Sequence, residues 1–377
     1  MHMSRCIATA AIVFAISPAL AADKAKPPEP QYKFEKIVIP AAAAGEPRRE
    51  TLSVKAAVDY LERGAKAWSG ARKCVSCHTN GSYLVIRPSL TKQLGAPPNE
   101  HREFFVAQFE DMKKKGTTVL RGGLKPTQLA YIAAGLAEWD RHVTGKLSKE
   151  TDAALRLMLS LQSKDGSQRN LDCWPPHESS SYHGATVAAT AVATAPGFEK
   201  SLDPKKDKAV LQKIAAVRNY LKKTPPPHDY ARILLLWTAT RMDGLVDAKQ
   251  KAELIDTVWK HQRKDGGWSI RTFATPEKWG KGNRAKKLRT EEEFTDPPSD
   301  GHMTGLAVLV LRDAGVPASD PRIRKAVAWL KSHQRESGRW WTRSLNTDRY
   351  HFITYSGTLY PLAALAKCDE LPAKTAE

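Results

Sequence analysis

After Ala21 the sequence has no apolar run long enough to span a membrane, so we expect no transmembrane anchor in the mature chain. Acidic residues are also few relative to basic ones. The chain has 40 Asp and Glu residues and 59 Lys and Arg residues, which gives a formal net charge of +19. Such an excess favours anionic partners. The basic residues are, however, spread over the polar faces of predicted helices, and their densest cluster, Lys278–Arg289, lies in a loop. We therefore do not expect nucleic acid as a partner.

The N-terminus has the pattern of a secretory signal peptide. Arg5 precedes an apolar run, Cys6–Leu20, and Ala19–Ala21 has the A-x-A cleavage pattern. We therefore predict that residues 1–21 are removed and that the protein is periplasmic or secreted. No cysteine directly follows the predicted cleavage site, so a lipid anchor is not indicated. Residues 22–50 are rich in Pro, Ala and Lys and predict a flexible or surface-lying arm, residues 51–370 predict one folded domain, and residues 371–377 predict a tail.

One short sequence motif, a turn at the end of a helix, recurs along the predicted folded domain. Leu161–Ser167, Lys260–Trp268 and His333–Trp340 each close an amphipathic helix with a glutamine and a glycine-containing turn, and the last two add a tryptophan. A single repeat cannot bury its own apolar face, so the recurrence predicts an array of helical hairpins. The first helix of each pair is amphipathic and the second is apolar on most sides, which places second helices inside and first helices outside. The sequence therefore predicts an all-α fold, an (α/α)6 toroid of six hairpins.

Apolar spacing predicts the helix bounds. The predicted outer helices are Thr51–Trp68, Arg102–Lys115, Lys149–Ser163, Lys208–Lys223, Ala248–Lys264 and Pro321–Arg335. The predicted inner helices are Ser82–Leu94, Thr127–Arg141, Ser181–Thr194, Asp229–Met242, Asp300–Ala314 and Thr354–Lys367. Pro88 should kink the first inner helix. The long outer-to-inner connections collect at one mouth of the predicted ring, where functional sites usually lie.

The glutamine and tryptophan turns resemble the QW-type repeats of the squalene–hopene cyclase and prenyltransferase superfamily. The chain is more closely similar to exported bacterial proteins of this superfamily that carry a C-x-x-C-H motif. The shared motifs are Cys74–His78, Tyr83 with Arg87-Pro88, Trp174–Glu178, Ser299–Gly301 and Arg335–Trp340. The resemblance implies the toroid fold. It does not imply the cyclase reaction, because cyclases use a D-x-D-D aspartate, and the nearest run here, Asp296–Asp300, has its two acids in another pattern.

The C-x-x-C-H motif itself predicts a cofactor site. In an exported chain this spacing is typical of c-type haem attachment, with Cys74 and Cys77 forming thioethers and His78 as the proximal iron ligand. Two alternatives stay open, a disulfide between Cys74 and Cys77 or a zinc site formed with His78. Of the other mature cysteines, Cys173 lies in a mouth loop and Cys368 ends an inner helix at the opposite end, so we do not expect them to pair.

Further polar side chains fall at the predicted mouth. The candidate distal iron ligands or mouth residues are His177, His183, His302, His351 and Tyr355, and the candidate catalytic residues are Glu178, Asp300 and His302. For any single histidine, a packed and hydrogen-bonded role is the alternative.

Three functions compete on this sequence. The first is a haem-bearing protein in electron transfer or redox chemistry, with a redox partner protein or a small apolar or anionic ligand. The second is a haem-free module that binds a lipid, an isoprenoid or a polysaccharide. The third is a cyclase- or lyase-like enzyme in which Asp300, Glu178 or His302 donates a proton.

Overall fold

The computed structural model describes residues 29–170, 174–347 and 352–371, and this part of the chain is predominantly helical. The longer helices are α1 Val54–Arg72, α2 Asn80–Ile86, α3 Asn99–Lys113, α4 Lys125–Trp139, α5 Lys149–Ser160, α6 Ser181–Thr194, α7 Lys208–Lys223, α8 Asp229–Ala239, α9 Ala248–Lys260, α10 Gly301–Asp313, α11 Pro321–Ser332 and α12 Ile353–Lys367. Short helical turns lie at Arg87–Leu90, Thr91–Leu94, Thr117–Leu120, Asp140–Thr144, Phe198–Ser201, Ile270–Thr272, Pro276–Lys278, Ala285–Leu288 and Glu292–Thr295. The all-α prediction is confirmed.

The inner helices contact one another in a closed cycle. Along the chain α2 contacts α4, α4 contacts α6, and the series continues through α8, α10 and α12, which contacts α2 again. The outer helices α1, α3, α5, α7, α9 and α11 each pack against inner helices. This is the order of contacts that a ring of six hairpins requires.

Sequence composition explains which helices lie inside. Helix α12 is buried from Ile353 to Ala366, because its apolar and small residues cover every side of the helix. The outer helix α7 instead buries only Ile214, Val217 and Leu221, which lie on one stripe, and its lysines point to solvent. Close approach of α10 and α12 depends on Gly305, where a Cβ atom would lie 2.3 Å from the backbone nitrogen of Pro361.

The observed bounds differ from the predicted ones where the backbone loses its helical hydrogen bonds. The inner helix predicted over Ser82–Leu94 ends at Ile86, and Arg87–Leu90 continues as a 3₁₀ turn because Pro88 has no N–H. The predicted outer helix Ala248–Lys264 ends at Lys260 because the Gln-Arg-Lys-Asp-Gly segment turns away from the helix axis.

The glutamine-containing turns after α5, α9 and α11 link these outer helices to the next outer helix. The indole Nε1 atoms of Trp268 and Trp340 donate to main-chain oxygens ten residues earlier, at distances of 2.8 and 2.7 Å. The preceding glutamine reaches the following outer helix, since Gln262 Nε2 donates to Arg322 O at 3.0 Å. Gln162 makes the same contact with Lys213 O at 3.1 Å.

The last turn of this kind closes the ring. Gln334 Nε2 donates to Ser53 O at 2.9 Å, and Ser53 N donates to Gln334 Oε1 at 2.7 Å. Ser53 is the N-cap of α1, so the sixth hairpin is tied to the start of the first. Gly338 of the same turn lies directly against Ala56 in α1.

The N-terminal arm lies against the first and last hairpins. It contains the antiparallel strands β1 Tyr32–Phe34 and β2 Ile37–Ile39, whereas its composition predicts only a flexible or surface-lying arm. Tyr32 is buried and packs edge-on against Trp68 and Tyr355. In the part of the chain that the structure describes, no helix combines the length and apolar character that a membrane span needs.

Candidate cofactor site and histidine cluster

The C-x-x-C-H motif follows directly on the C-terminus of α1. Lys73 ends that helix in the left-handed conformation, with φ of 51°, and turns the chain into Cys74. Asn80 then fixes the loop, because its Oδ1 accepts from Ser76 N at 2.8 Å and its Nδ2 donates to Cys74 O at 3.0 Å. The motif is therefore a rigid loop between the first outer and first inner helix.

The three motif side chains line one cavity. Its volume is about 630 Å³ when the space open to solvent is counted. The cavity walls combine the motif residues with apolar and polar neighbours: Trp68, Cys74, Val75, Ser76, Cys77, His78, Leu124, Thr127, Gln128, Trp174 and Glu178. Both thiols and the imidazole are thus presented to one space that is open on one side.

His78 is held in a fixed orientation. It is 6% exposed, and its ring meets the Trp68 ring edge-on with centroids 4.7 Å apart. Its Nδ1 lies 3.0 Å from Thr79 Oγ1, which lies 3.0 Å from the Tyr32 hydroxyl. Burial is the largest cause of the raised pKa of Tyr32, so this hydroxyl keeps its proton. A hydrogen bond to one imidazole nitrogen is the usual way in which proteins orient a metal-binding histidine.

The two thiols are separate in the structure, with no disulfide at Cys74 or Cys77. Burial raises the pKa of the Cys74 thiol, with smaller opposing contributions from Trp68 and Arg72, so the neutral thiol is favoured. A zinc site would need three ligand side chains to converge, and within residues 29–170, 174–347 and 352–371 no three His, Cys, Asp or Glu side chains do so. Haem attachment has no such requirement, because each thiol bonds a different vinyl group.

One buried hydroxyl in the cavity wall has no hydrogen-bond partner. Thr127 Oγ1 is fully shielded from solvent and, among the described atoms, nothing accepts from it or donates to it. An unsatisfied buried hydroxyl costs about 1–3 kcal/mol. The donor set of two thiols and one imidazole at one cavity fits a c-type haem.

Three of the sequence-predicted mouth histidines come together behind this cavity. The rings of His177 and His302 have centroids 5.6 Å apart, and those of His177 and His183 lie 6.3 Å apart. His302 Nδ1 lies 2.8 Å and His177 Nε2 3.3 Å from Ser356 Oγ. Tyr230 completes the group, with its hydroxyl 3.0 Å from His302 Nε2. We call these five residues the histidine cluster.

Hydrogen-bond roles in the histidine cluster follow from Ser356. Its hydroxyl donates to Ile353 O at 3.1 Å, so it accepts from both imidazoles. His302 then carries its proton on Nδ1, and its Nε2 accepts from the Tyr230 hydroxyl. Burial lowers the pKa of His302 to about 3 and that of His183 to about 4, so both are neutral at physiological pH.

The histidine cluster positions the loop that forms one wall of the cavity. His183 Nδ1 donates to Pro176 O at 2.9 Å, and His177 of the same loop contacts Ser356. The neighbouring loop residues Trp174 and Glu178 line the motif cavity. The cluster therefore supports the cavity from behind, and both ring nitrogens of His302 are engaged there.

The remaining candidates lie elsewhere. Asp300 is the N-cap of α10, and its carboxylate accepts from Ile270 N at 2.7 Å and Met303 N at 2.9 Å. Burial raises the pKa of Asp300 to about 6, against the lowering effect of these hydrogen bonds. The Tyr355 hydroxyl donates to Leu61 O at 2.6 Å, outside the histidine cluster. His351 lies outside the described residues.

Several residues of these sites are not predicted from the sequence. Tyr230 and Ser356 complete the histidine cluster, and Trp68 and Thr79 hold His78. One signal was available, because Tyr230 is the second residue of its inner helix, as His302 is of α10. Polar residues at this position of successive inner helices face the same end of the ring.

Comparison with known proteins assigns no family to this chain. No family model matches the chain, and no curated protein matches its sequence. Among solved structures, the chain is similar to one titled "Glycosidase Wild Type", with 15% sequence identity and a TM-score of 0.39 over 66% of each chain. The chain thus covers just under two thirds of that structure. A likeness of this extent supports no statement about activity.

Proposed function

We propose that this chain is an exported c-type haem protein that acts in electron transfer or in redox chemistry on a bound ligand. The observation that carries the proposal is that Cys74, Cys77 and His78 all line one partly open cavity with apolar walls. Cys74 and Cys77 would hold the porphyrin through thioether bonds, and His78 would ligate the iron. The bound group supplies one-electron chemistry at the iron.

The protein's own residues then set the environment of that group. Thr79 holds Nδ1 of His78, so we assign Nε2 as the iron ligand. The indoles of Trp68 and Trp174 form apolar walls that limit access of water. Glu178 is buried in the same wall and places a carboxyl group beside the site.

We further propose that the protein is exported to the periplasm or secreted, and that its partner is a redox protein or a small ligand. We also propose an evolutionary relation to the QW-type superfamily. Support for this comes from the shared turns, in which Trp268 and Trp340 make equivalent indole hydrogen bonds and Gln162, Gln262 and Gln334 reach the next outer helix.

A visible absorption spectrum of the protein, made in a host with haem c maturation machinery, tests this proposal. We expect a Soret band in the wild type and altered iron ligation in His78→Ala, with helical circular dichroism retained. His142→Ala is the matched control, because His142 does not line the cavity. A wild-type protein without a Soret band, or a His78→Ala spectrum equal to that of the wild type, would contradict the assignment.

The second candidate is a haem-free binding module, favoured by the apolar character of the walls that Trp68, Val75, Leu124 and Trp174 provide. Its ligand would be a lipid, an isoprenoid or a polysaccharide. Absence of the Soret band together with ligand-dependent quenching of tryptophan fluorescence would support this candidate over the first. The acid–base enzyme has less support, because Asp300 caps a helix and both nitrogens of His302 are engaged.

A further inference from the structure

A second cavity lies between the N-terminal arm and the last two hairpins. Its volume is about 760 Å³ when the space open to solvent is counted, and it shares no wall residue with the motif cavity. Four arginines line it, Arg48 from the arm and Arg271, Arg335 and Arg343 from the hairpins. We call it the arginine cavity.

Two of these arginines already have carboxylate partners. Arg343 Nη1 donates to both oxygens of Glu293, at 2.9 and 2.8 Å. Arg271 is 5% exposed and its Nη2 donates to Glu291 Oε2 at 2.7 Å. Its Nε is also buried and, among the described residues, has no hydrogen-bond partner. These two pairs leave little net charge at this part of the cavity wall. The carboxylate of Asp300 also lines the cavity, where main-chain N–H groups of Ile270 and Met303 donate to it.

The other two arginines face each other. Arg48 and Arg335 form an antiparallel bridge, flanked by hydrogen bonds from Arg49 N to Gln334 O at 2.8 Å and from Glu336 N to Pro47 O at 3.0 Å. Residues directly opposite in such a bridge project to the same side, and like charges in these positions destabilise the pairing.

Among the described residues, these two guanidinium groups lack the close carboxylate partners that Arg271 and Arg343 have. Within the described residues neither Arg48 nor Arg335 forms an ion pair, and the Arg335 side chain donates to the main-chain oxygen of Glu46. Burial, the largest cause, and the neighbouring Arg48 both lower the pKa of Arg335, and the Glu46 carboxylate acts in the opposite direction. The bridge thus holds two positive charges together at a cavity wall, and Glu46 offsets them only in part.

Aromatic side chains form another part of the wall. Trp329 and Trp341 both line the arginine cavity, and the His333 ring stacks on Trp329 with centroids 4.1 Å apart. His333 Nδ1 donates to Trp329 O at 2.8 Å. Burial, with a further contribution from Arg48, lowers the pKa of His333, so the imidazole is neutral and adds to the apolar surface.

We propose that the arginine cavity binds an organic oxyanion, with its carboxylate or phosphate group between Arg48 and Arg335 and its apolar body against Trp329 and Trp341. Guanidinium groups bind such oxyanions through paired hydrogen bonds, and an anion there offsets the repulsion within the bridge. The ligand also joins the arm, which contributes Arg48, to the sixth hairpin, which contributes Arg335.

Calorimetric titration of the full chain in chloride buffer tests the proposal with four probes. Phenyl phosphate and benzoate carry an aromatic body and an anionic group, inorganic phosphate lacks the body, and benzyl alcohol lacks the charge. We expect both aromatic anions to bind, inorganic phosphate to bind at least tenfold more weakly, and benzyl alcohol not to bind. The tighter of the two aromatic anions identifies the preferred anionic group. Equal affinity for phenyl phosphate and inorganic phosphate would overturn the role of the indoles.

Substitutions of Arg48 separate binding from folding, because this side chain is exposed and lies on the arm. Arg48→Ala should weaken phenyl phosphate binding at least tenfold, and Arg48→Glu should abolish it while raising the melting temperature in anion-free buffer. Arg324→Ala is the matched control, since it removes one exposed arginine of α11 that does not line the cavity. Unchanged affinity in Arg48→Ala, or a lower melting temperature in Arg48→Glu, would refute the proposal.

Discussion

Gly338→Ala should destabilise the chain by disturbing the contact that closes the ring. Gly338 has φ of +84°, and a Cβ atom there would lie 2.5 Å from the carbonyl carbon and 2.6 Å from the oxygen of Ala56 in α1. The left-handed conformation costs an alanine about 1 kcal/mol. Contact with rigid backbone adds about 1–3 kcal/mol, because α1 or the turn must move. We therefore expect a loss of about 2–4 kcal/mol in the free energy of unfolding.

Gly315→Ala is the matched control for this substitution. Gly315 has φ of +97°, but nothing lies within 4 Å of the position that its Cβ would take. This variant carries the conformational cost alone, about 1 kcal/mol. Urea unfolding followed by circular dichroism measures both losses. Equal losses in the two variants would refute the reasoning, because Gly338 would then not press against the first hairpin.

Two further predictions concern buried charge. Burial lowers the pKa of His183 to about 4, against a smaller raising effect of its hydrogen bond to Pro176 O, so the folded chain binds this proton less tightly than the unfolded chain. The contribution of the neutral His183 to stability is therefore fully present above pH 6.5 and is lost as the pH falls towards 4. Between pH 7 and pH 5, the free energy of unfolding in urea should change by about 2 kcal/mol less in His183→Gln than in the wild type. An equal change in the two proteins would contradict this. Glu138→Gln should cost about 3 kcal/mol in the same assay at pH 7, because it leaves the largely buried Arg241 without its carboxylate partner. A loss below about 1 kcal/mol would show that solvent screens this pair.

Much of the helical architecture could be predicted from the sequence. The apolar period of Ser181–Thr194 and Lys208–Lys223 defines α6 and α7 with the observed bounds, because caps and apolar spacing are local signals. The same holds for the turns around Trp268 and Trp340, whose glycine, glutamine and indole act within one repeat and its neighbour. Only Pro88 shifts an inner helix strongly, by removing a main-chain donor.

The sites could be predicted only in part. The C-x-x-C-H spacing identifies Cys74, Cys77 and His78, because all three are adjacent in sequence. Ser356 and the pair of Arg48 and Arg335 could not be identified in this way, since their partners are brought near only by ring closure. Long-range contacts of this kind depend on the whole fold and leave no periodic signal in the chain.

Intact mass under denaturing conditions tests the central claim most directly. The wild type and the control Cys368→Ser, whose buried thiol lies outside the motif cavity, should both carry the mass of one covalently bound haem. The double variant Cys74→Ser, Cys77→Ser should have the mass of the bare mature chain. A wild-type mass equal to the bare mature chain, in cells that mature another c-type cytochrome normally, would contradict the account.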